Sequence, residues 1–318
     1  MLSLLRLGIK GEFCSHQTPD QWLGAAARLF KAVSWAVALT ALGAIQWTSV
    51  ASAKISVVFG TYSPDKPSAM VAQLRPSLDG IAKRMSEITS EEVEVRLQVV
   101  GSYDAGVDLI VNGDVDFMRL GPASYVTAKD RNPGLQILAL ENKHGKKTFN
   151  GIIAVRTDSD ITEVSQLHGQ SFAFGSKRST LGRYFSQLHL MRNGVFARDL
   201  AKFEYLGRHD KVGRAVGSGL YDAGALESTT FDKLVAKGVP IRAIATFSNA
   251  TRPWVARAGL TENVEAVLRQ ALISLTDPDA LTALRFDGFL LGDDSEFDPT
   301  REAIRENPRF FSQLSSTQ

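Results

Sequence analysis

A two-lobed α/β protein is the fold class this sequence predicts, on three observations. From Lys54 onward, short β-branched runs alternate with amphipathic stretches, the pattern of sheets covered by helices. The alternation runs through one unit, meets the polar stretch from Lys143 to Thr148, and then repeats in a second unit. The chain leaves the first unit near Asn150 and returns near Phe247, so two segments cross between the units, as in a hinge that closes on a ligand. The expected lobes are 54–148 plus 248–318, and 149–247.

In the first unit, Ile55 to Gly60 reads as a buried strand opening into the turn Thr61 to Pro64. Pro67 to Ser90 reads as a helix with its apolar face at Leu74, Leu78, Ile81 and Met85, spaced three and four residues apart. Val93 to Val100 is a strand, Ala105 to Asn112 a helix closed by Gly113, and Val115 to Arg119 a strand. Leu120 to Lys129 starts another helix after Gly121-Pro122, and Leu135 to Glu141 is an apolar strand. In the second unit the strands are Gly151 to Arg156, Ser171 to Phe174, Phe203 to Leu206, Ala223 to Leu226 and Ile241 to Phe247. The intervening helices are Thr180 to Asn193, which Asn193-Gly194 closes, and Asp210 to Ser218. Two helical stretches, Asn263 to Leu275 and Pro278 to Leu284, end the pattern.

The chain of 318 residues is 44% hydrophobic and 22% charged, with 36 Lys and Arg against 34 Asp and Glu. That near balance, without a basic run, disfavours nucleic acid as a partner. Arg28 and Lys31 precede the apolar run Ala32 to Ile45 and the small residues Ala51-Ser52-Ala53. The run is shorter than the roughly twenty residues that span a bilayer, so 1–53 reads as an export segment cleaved before Lys54, the alternative being an uncleaved anchor. Residues 1–27 are either an extended leader to that signal or the product of an upstream start. The single cysteine, Cys14, precedes the cleavage point, which leaves the mature chain without a disulfide and argues against a lipid-anchored cysteine.

Four turns carry the candidate chemistry, each at the carboxyl end of a strand, where α/β sheets place their ligands. They are Gly101-Ser102-Tyr103, Leu120 to Tyr125, Ser176 to Gly182 and Gly207 to Asp210. A strand, a hydroxyl-rich turn and a helix start cradle an anion, because the first N–H groups of a helix have no partner within it. Ser179 suits the N-cap whatever binds, and His209 adds a ring donor. The glycine and lysine spacing of a nucleotide P-loop is absent from the sequence. So are the motifs of a serine hydrolase or a zinc protease, and the pairs Asp114/Asp116 and Asp293/Asp294 read as turn and surface residues. No enzyme, cofactor or metal site is expected.

In their order along the chain these stretches resemble the phosphonate, phosphite and phosphate-binding periplasmic proteins of ABC transporters. The resemblance is carried by Phe59-Gly60, Gly101 to Ala105, Gly113 to Asp116, Leu120 to Tyr125, Leu167 to Phe174, Ser179 to Gly182, His209-Asp210, and Val216 with Gly219, Asp222 and Ala223. It implies a type II periplasmic-binding fold with a two-segment hinge, acting as a monomer that hands a small phosphorus oxyanion to a membrane permease. It also implies that the ligand's PO₃ group is held by Tyr103, Ser179, Thr180 and His209, with Tyr62, Ser124 and Gly182 as neighbours. Members that take aminoalkylphosphonates carry an aromatic residue where this chain has Leu120, and acids that receive the ammonium. Here Glu227 stands near that place, either to receive an amine or to pair with a local cation, and Thr251-Arg252 stands where an acid would be. An Arg252 facing the cleft would oppose an ammonium. A periplasmic sensor feeding a membrane kinase, and an enzyme acting on phosphorus esters, are the alternative functions.

Overall fold

The computed structural model describes residues 54–62, 67–284 and 286–312. The export segment and the turn beyond Tyr62 lie outside the described residues. The first sheet contains β1 (Ile55–Tyr62), β2 (Val93–Val100), β3 (Phe117–Arg119) and β4 (Gln136–Glu141). The second contains β5 (Thr148–Arg156), β6 (Ser171–Phe174), β7 (Lys202–Tyr205), β8 (Ala223–Glu227) and β9 (Ile241–Ala250). The chain then re-enters the first sheet as β10 (Pro253–Ala256) and β11 (Phe289–Leu290). Strand order is β11-β4-β10-β3-β1-β2 in one sheet and β7-β6-β8-β5-β9 in the other. β1 runs parallel to β2 and β3, and β6 parallel to β7 and β8.

Helix α1 (Pro67–Thr89) lies on the first sheet, and the four apolar positions expected on its face, Leu74, Leu78, Ile81 and Met85, are each fully buried. They pack with Phe59, Phe117 and Trp254. The Trp254 ring stands 4.9 Å from Phe59 and 5.1 Å from Phe289. β10, which carries Trp254, is antiparallel to both its neighbours. Its short proline-led segment reads locally as a loop, and only the gap between β3 and β4 makes it a strand.

The remaining helices are α2 (Tyr103–Asn112), α3 (Pro122–Arg131), α4 (Ser186–Arg192), α5 (His209–Gly217), α6 (Ser228–Ala236), α7 (Glu262–Ile273), α8 (Pro278–Leu284) and α9 (Asp298–Phe311). α6 and α9 were not among the expected helices. α9 also departs from the expected lobe boundary, since it follows the first sheet in the chain yet seats Phe310 in the core of the second, 5.8 Å from Phe174 and 6.2 Å from Phe203. The reason is its strongly one-sided apolar face, which buries Ala303 and Phe310 and so covers whichever sheet is left open beside it.

The two sheets are joined by residues 142–147 and 251–252. β5 and β9 pair antiparallel from Thr148↔Ala250 to Arg156↔Ile241, and the Thr251 amide extends the ladder by donating to the Lys147 carbonyl at 2.9 Å. The crossing segments are therefore tied side by side where they leave the second sheet.

Candidate functional site

The strand ends of both sheets face one another across a cavity of about 170 Å³. From the first sheet come Tyr62, at the end of β1, Tyr103 of α2, and Ser124 of α3. From the second come Ser179, Thr180 and His209, with Glu227 at the end of β8. Every residue expected at the site lines this cavity except Gly182. That glycine's role is corrected by its surroundings. Its N–H donates to Ser179 Oγ at 2.9 Å, and a Cβ there would fall 2.8 Å from Gly175 Cα. Gly182 lets two backbones touch beneath the site and does not line the cavity.

The turn that follows β6 enters a π-helical segment, Thr180–Phe185, before α4 begins, in place of the single long helix expected. Ser179 is its N-cap, as its position suggested, and takes the N–H groups of Gly182, Arg183 and Tyr184 on its hydroxyl and carbonyl. Thr180 and Leu181 come before these, and their amides are the ones a helix start leaves without a partner inside the helix. Both residues line the cavity.

The first-sheet wall is held by an aromatic pair, Tyr62 and Tyr103, whose rings are 4.6 Å apart. Gly106 makes room for it, since a Cβ there would meet Tyr62 at 2.4 Å. The Tyr62 hydroxyl receives the Gly121 amide at 3.1 Å and lies 3.3 Å from Ser124 Oγ. Contacts then close the cleft directly. The Ala123 amide, at the start of α3, donates to Thr180 Oγ1 at 3.0 Å. Arg178 reaches Asp104 with Nε–Oδ1 at 2.9 Å and Nη2–Oδ2 at 3.3 Å. Below them Ala123, Leu181, Tyr184, Phe185 and Ala303 form an apolar seam.

Arg178 and Asp104 are 52% and 64% exposed, so their pair adds little by itself. Asp104→Asn is expected to weaken ligand binding by no more than about fivefold, the scale of one exposed ion pair. The change should lie in the dissociation rate and fade in high salt, which stopped-flow measurements at two ionic strengths would show.

His209 occupies the first turn of α5, with Nδ1 buried and without a hydrogen-bond partner among the described residues. Burial lowers the pKa of its imidazole, against the opposing pull of Glu227, so the ring is neutral near pH 7 and keeps an unmet polar atom beside the cavity.

Behind His209 lies a chain of charges that local sequence did not disclose as a unit. Arg119 Nε donates to Glu141 Oε1, Arg252 Nη1 stands 3.8 Å from Glu141 Oε2, and Arg252 Nη2 stands 3.5 Å from Glu227 Oε2. Glu141 is 1% exposed, Glu227 15% and Arg252 27%. Burial pushes the Glu227 carboxyl up, but Arg252, then His209 and Lys143, more than reverse this and hold it below its ordinary value. Arg252 does face the cleft, with its guanidinium 5.2 Å above the Phe149 ring. Leu120 does not. It is fully buried among Tyr125, Val255 and their neighbours. Pro122 and Arg178, which belong to two of the turns read from the sequence, also line the cavity, as does Phe149, which was not marked because nothing in its local pattern separates it from other strand residues.

Two of the aspartates set aside in the sequence have structural work. Asp116 accepts the Val58 amide at 2.8 Å and pairs with Arg257 at 3.0 Å. Asp294 accepts the Tyr125 hydroxyl at 2.6 Å. Asp222, from the stretch that carries the resemblance, accepts the amide and hydroxyl of Ser171.

Two α/β lobes, joined by two crossing segments and shut on a polar cavity, define the type II periplasmic-binding fold. Residues 59–297 match the family described as ABC transporter, phosphonate, periplasmic substrate-binding protein, and the chain belongs to it. A probable ABC transporter phosphite-binding protein of Prochlorococcus marinus, PhnD1, is 26% identical over 203 residues, 59% of this chain and 68% of that one. The structure of PhnD1 with methylphosphonate superposes with a TM-score of 0.66 at 21% identity, covering 79% of this chain and 97% of that one. A Xanthomonas citri protein solved with chloride gives 0.67 at 24% identity, covering 80% and 98%. At these identities the superpositions speak to the fold.

Proposed function

We propose that this protein binds a small phosphorus oxyanion, a phosphonate, phosphite or phosphate, in its interlobe cleft and delivers it to the permease of an ABC importer. In this reading residues 1–53 direct export and are cleaved after Ala53, and the mature chain works in the periplasm as a monomer that binds its ligand without transforming it. Its lobes are 54–141 with 253–297, and 148–250 with the last helix, the crossing segments 142–147 and 251–252 lying between them.

The observation that carries the reading is the convergence of Tyr62, Tyr103 and Ser124 from one sheet with Ser179, Thr180 and His209 from the other on a single cavity. Hydroxyls, orphan helix-start amides and a neutral imidazole replace the hydration shell of a tetrahedral anion with directional donors. Donors from both lobes make closure part of binding, and closure is the state a permease can read.

Thermal unfolding in the presence of phosphate, phosphite, methylphosphonate and sulfate tests this. A ligand at one hundred times its Kd adds about 2.7 kcal/mol of stability, a rise in Tm of about 5 °C for a chain of this size. At least one phosphorus oxyanion is expected to give that rise and sulfate a smaller one. No rise with any of the phosphorus compounds would defeat the proposal.

A further inference from the structure

The phosphorus-oxyanion reading accounts for the donors around Thr180 and His209 but leaves the charged end of the cavity unexplained. Glu227 is the carboxylate that lines the cavity there, and a ligand meeting it would be expected to carry a cation. Its place opposite Glu227 is already taken. Arg252 stands 3.5 Å from Glu227 and 3.8 Å from Glu141, and Arg119 holds the other oxygen of Glu141.

The backbone around Arg252 cannot readily carry the guanidinium away. The Arg252 carbonyl accepts the Glu141 amide at 3.2 Å, the Thr251 amide is bonded to Lys147, and the Pro253 carbonyl accepts the Leu120 amide. Phe149 lies beneath the guanidinium. The guanidiniums of Arg119 and Arg252 face the carboxylates of Glu141 and Glu227, so each carboxylate has a counter-ion before any ligand enters.

We infer that Arg252 is a specificity-determining residue of the cleft. Its guanidinium is a resident counter-ion that occupies the position a cation on the ligand's tail would need. The cleft therefore takes phosphorus oxyanions with uncharged or anionic tails and rejects those bearing an amine. An ammonium placed against Glu227 would lie within a few ångströms of Arg252 in a partly desolvated space, where like charges are poorly screened. Because Arg252 sits on a crossing segment and contacts a carboxylate of each lobe, the same pair that excludes the cation also helps hold the closed arrangement. The inference rests on the phosphorus-oxyanion reading of the same cleft.

Calorimetric titration with ethylphosphonate and 2-aminoethylphosphonate, which share a carbon skeleton and differ by the amine, isolates the charge from the length of the tail. The protein is expected to prefer ethylphosphonate by about 100-fold, the scale of one poorly screened like-charge contact. In Arg252→Gln that ratio should fall by at least about tenfold, because Glu227 loses its resident counter-ion, while Arg252→Lys, which keeps the charge, should preserve most of it. Glu227→Gln provides a test independent of the arginine variants. It leaves Arg252 less neutralised, and phosphonoacetate, with its anionic tail, should bind about tenfold tighter than to the parent.

Equal affinity for ethylphosphonate and 2-aminoethylphosphonate in the parent would overturn the inference. So would exclusion of both while methylphosphonate binds, because length would then be what the cleft reads, and so would an unchanged ratio in a folded Arg252→Gln protein. Failure of the parent to bind any phosphorus oxyanion is a separate result, and it removes the reading of the cleft on which the inference stands.

Discussion

Glu141→Ala is expected to cost about 3–5 kcal/mol of stability, the range for removing one partner from a buried ion pair. Glu141 is 1% exposed at the end of β4, and its carboxylate faces both Arg119 and Arg252. Taking it away leaves two guanidinium groups close together with Glu227 as their remaining acidic neighbour. The cost comes from the uncompensated charges more than from the lost attraction, so Glu141→Gln, which keeps shape and some hydrogen bonding, should lose less. Chemical denaturation of both variants checks this. A midpoint shift in Glu141→Ala equivalent to less than about 1 kcal/mol would show that the charges are solvated rather than clamped.

His209→Ala is expected to weaken phosphorus-oxyanion binding by about 1–3 kcal/mol, the range for a hydrogen bond to a charged group, or roughly 5- to 150-fold in Kd. Thr180→Ala should fall in the same range, because it removes both a cavity hydroxyl and the bond from the Ala123 amide that joins the lobes.

The pH dependence separates the two variants. In the unliganded protein burial holds the His209 pKa below its ordinary value, so the unfolded chain binds the proton more readily. His209 therefore subtracts stability as pH falls below about 6.5, the unfolded value. A bound oxyanion works in the opposite direction and raises the ring's pKa. Binding should then take up a proton, and affinity should decline as pH rises from the lowered value of the free protein to the raised value of the complex. Calorimetry in buffers of different ionisation enthalpy reads that uptake. It should shrink in His209→Ala and persist in Thr180→Ala, the ligand's own titration being common to both. Equal proton uptake in the parent and His209→Ala would rule out the ring as the group that responds to the anion.

How much of this was legible beforehand divides along the range of the interactions. β2, β6 and α8 fall on the bounds the sequence predicts, and the buried stripe of α1 falls on the predicted positions, because periodicity and caps act within a few residues. The turns that build the site were visible for the same reason: a strand end, a small or hydroxyl-bearing residue and a helix start are local events. The sequence by itself thus determined the α/β class, the repeated unit and most of the residues that line the interlobe cavity.

What only the tertiary structure decided depends on groups far apart in the chain. β10 is a strand because β3 and β4 leave a gap for it, and α9 joins the second sheet because an uncovered apolar surface awaits Phe310 there. Leu120 turns into the core and Gly182 beneath the site because close packing settles where each residue faces. The fate of Glu227 was the alternative that sequence left open. Whether a carboxylate awaits a ligand's cation or already has its own depends on a guanidinium 25 positions away. Coulomb attraction acts through space, not along the chain, and the structure sets that separation at 3.5 Å.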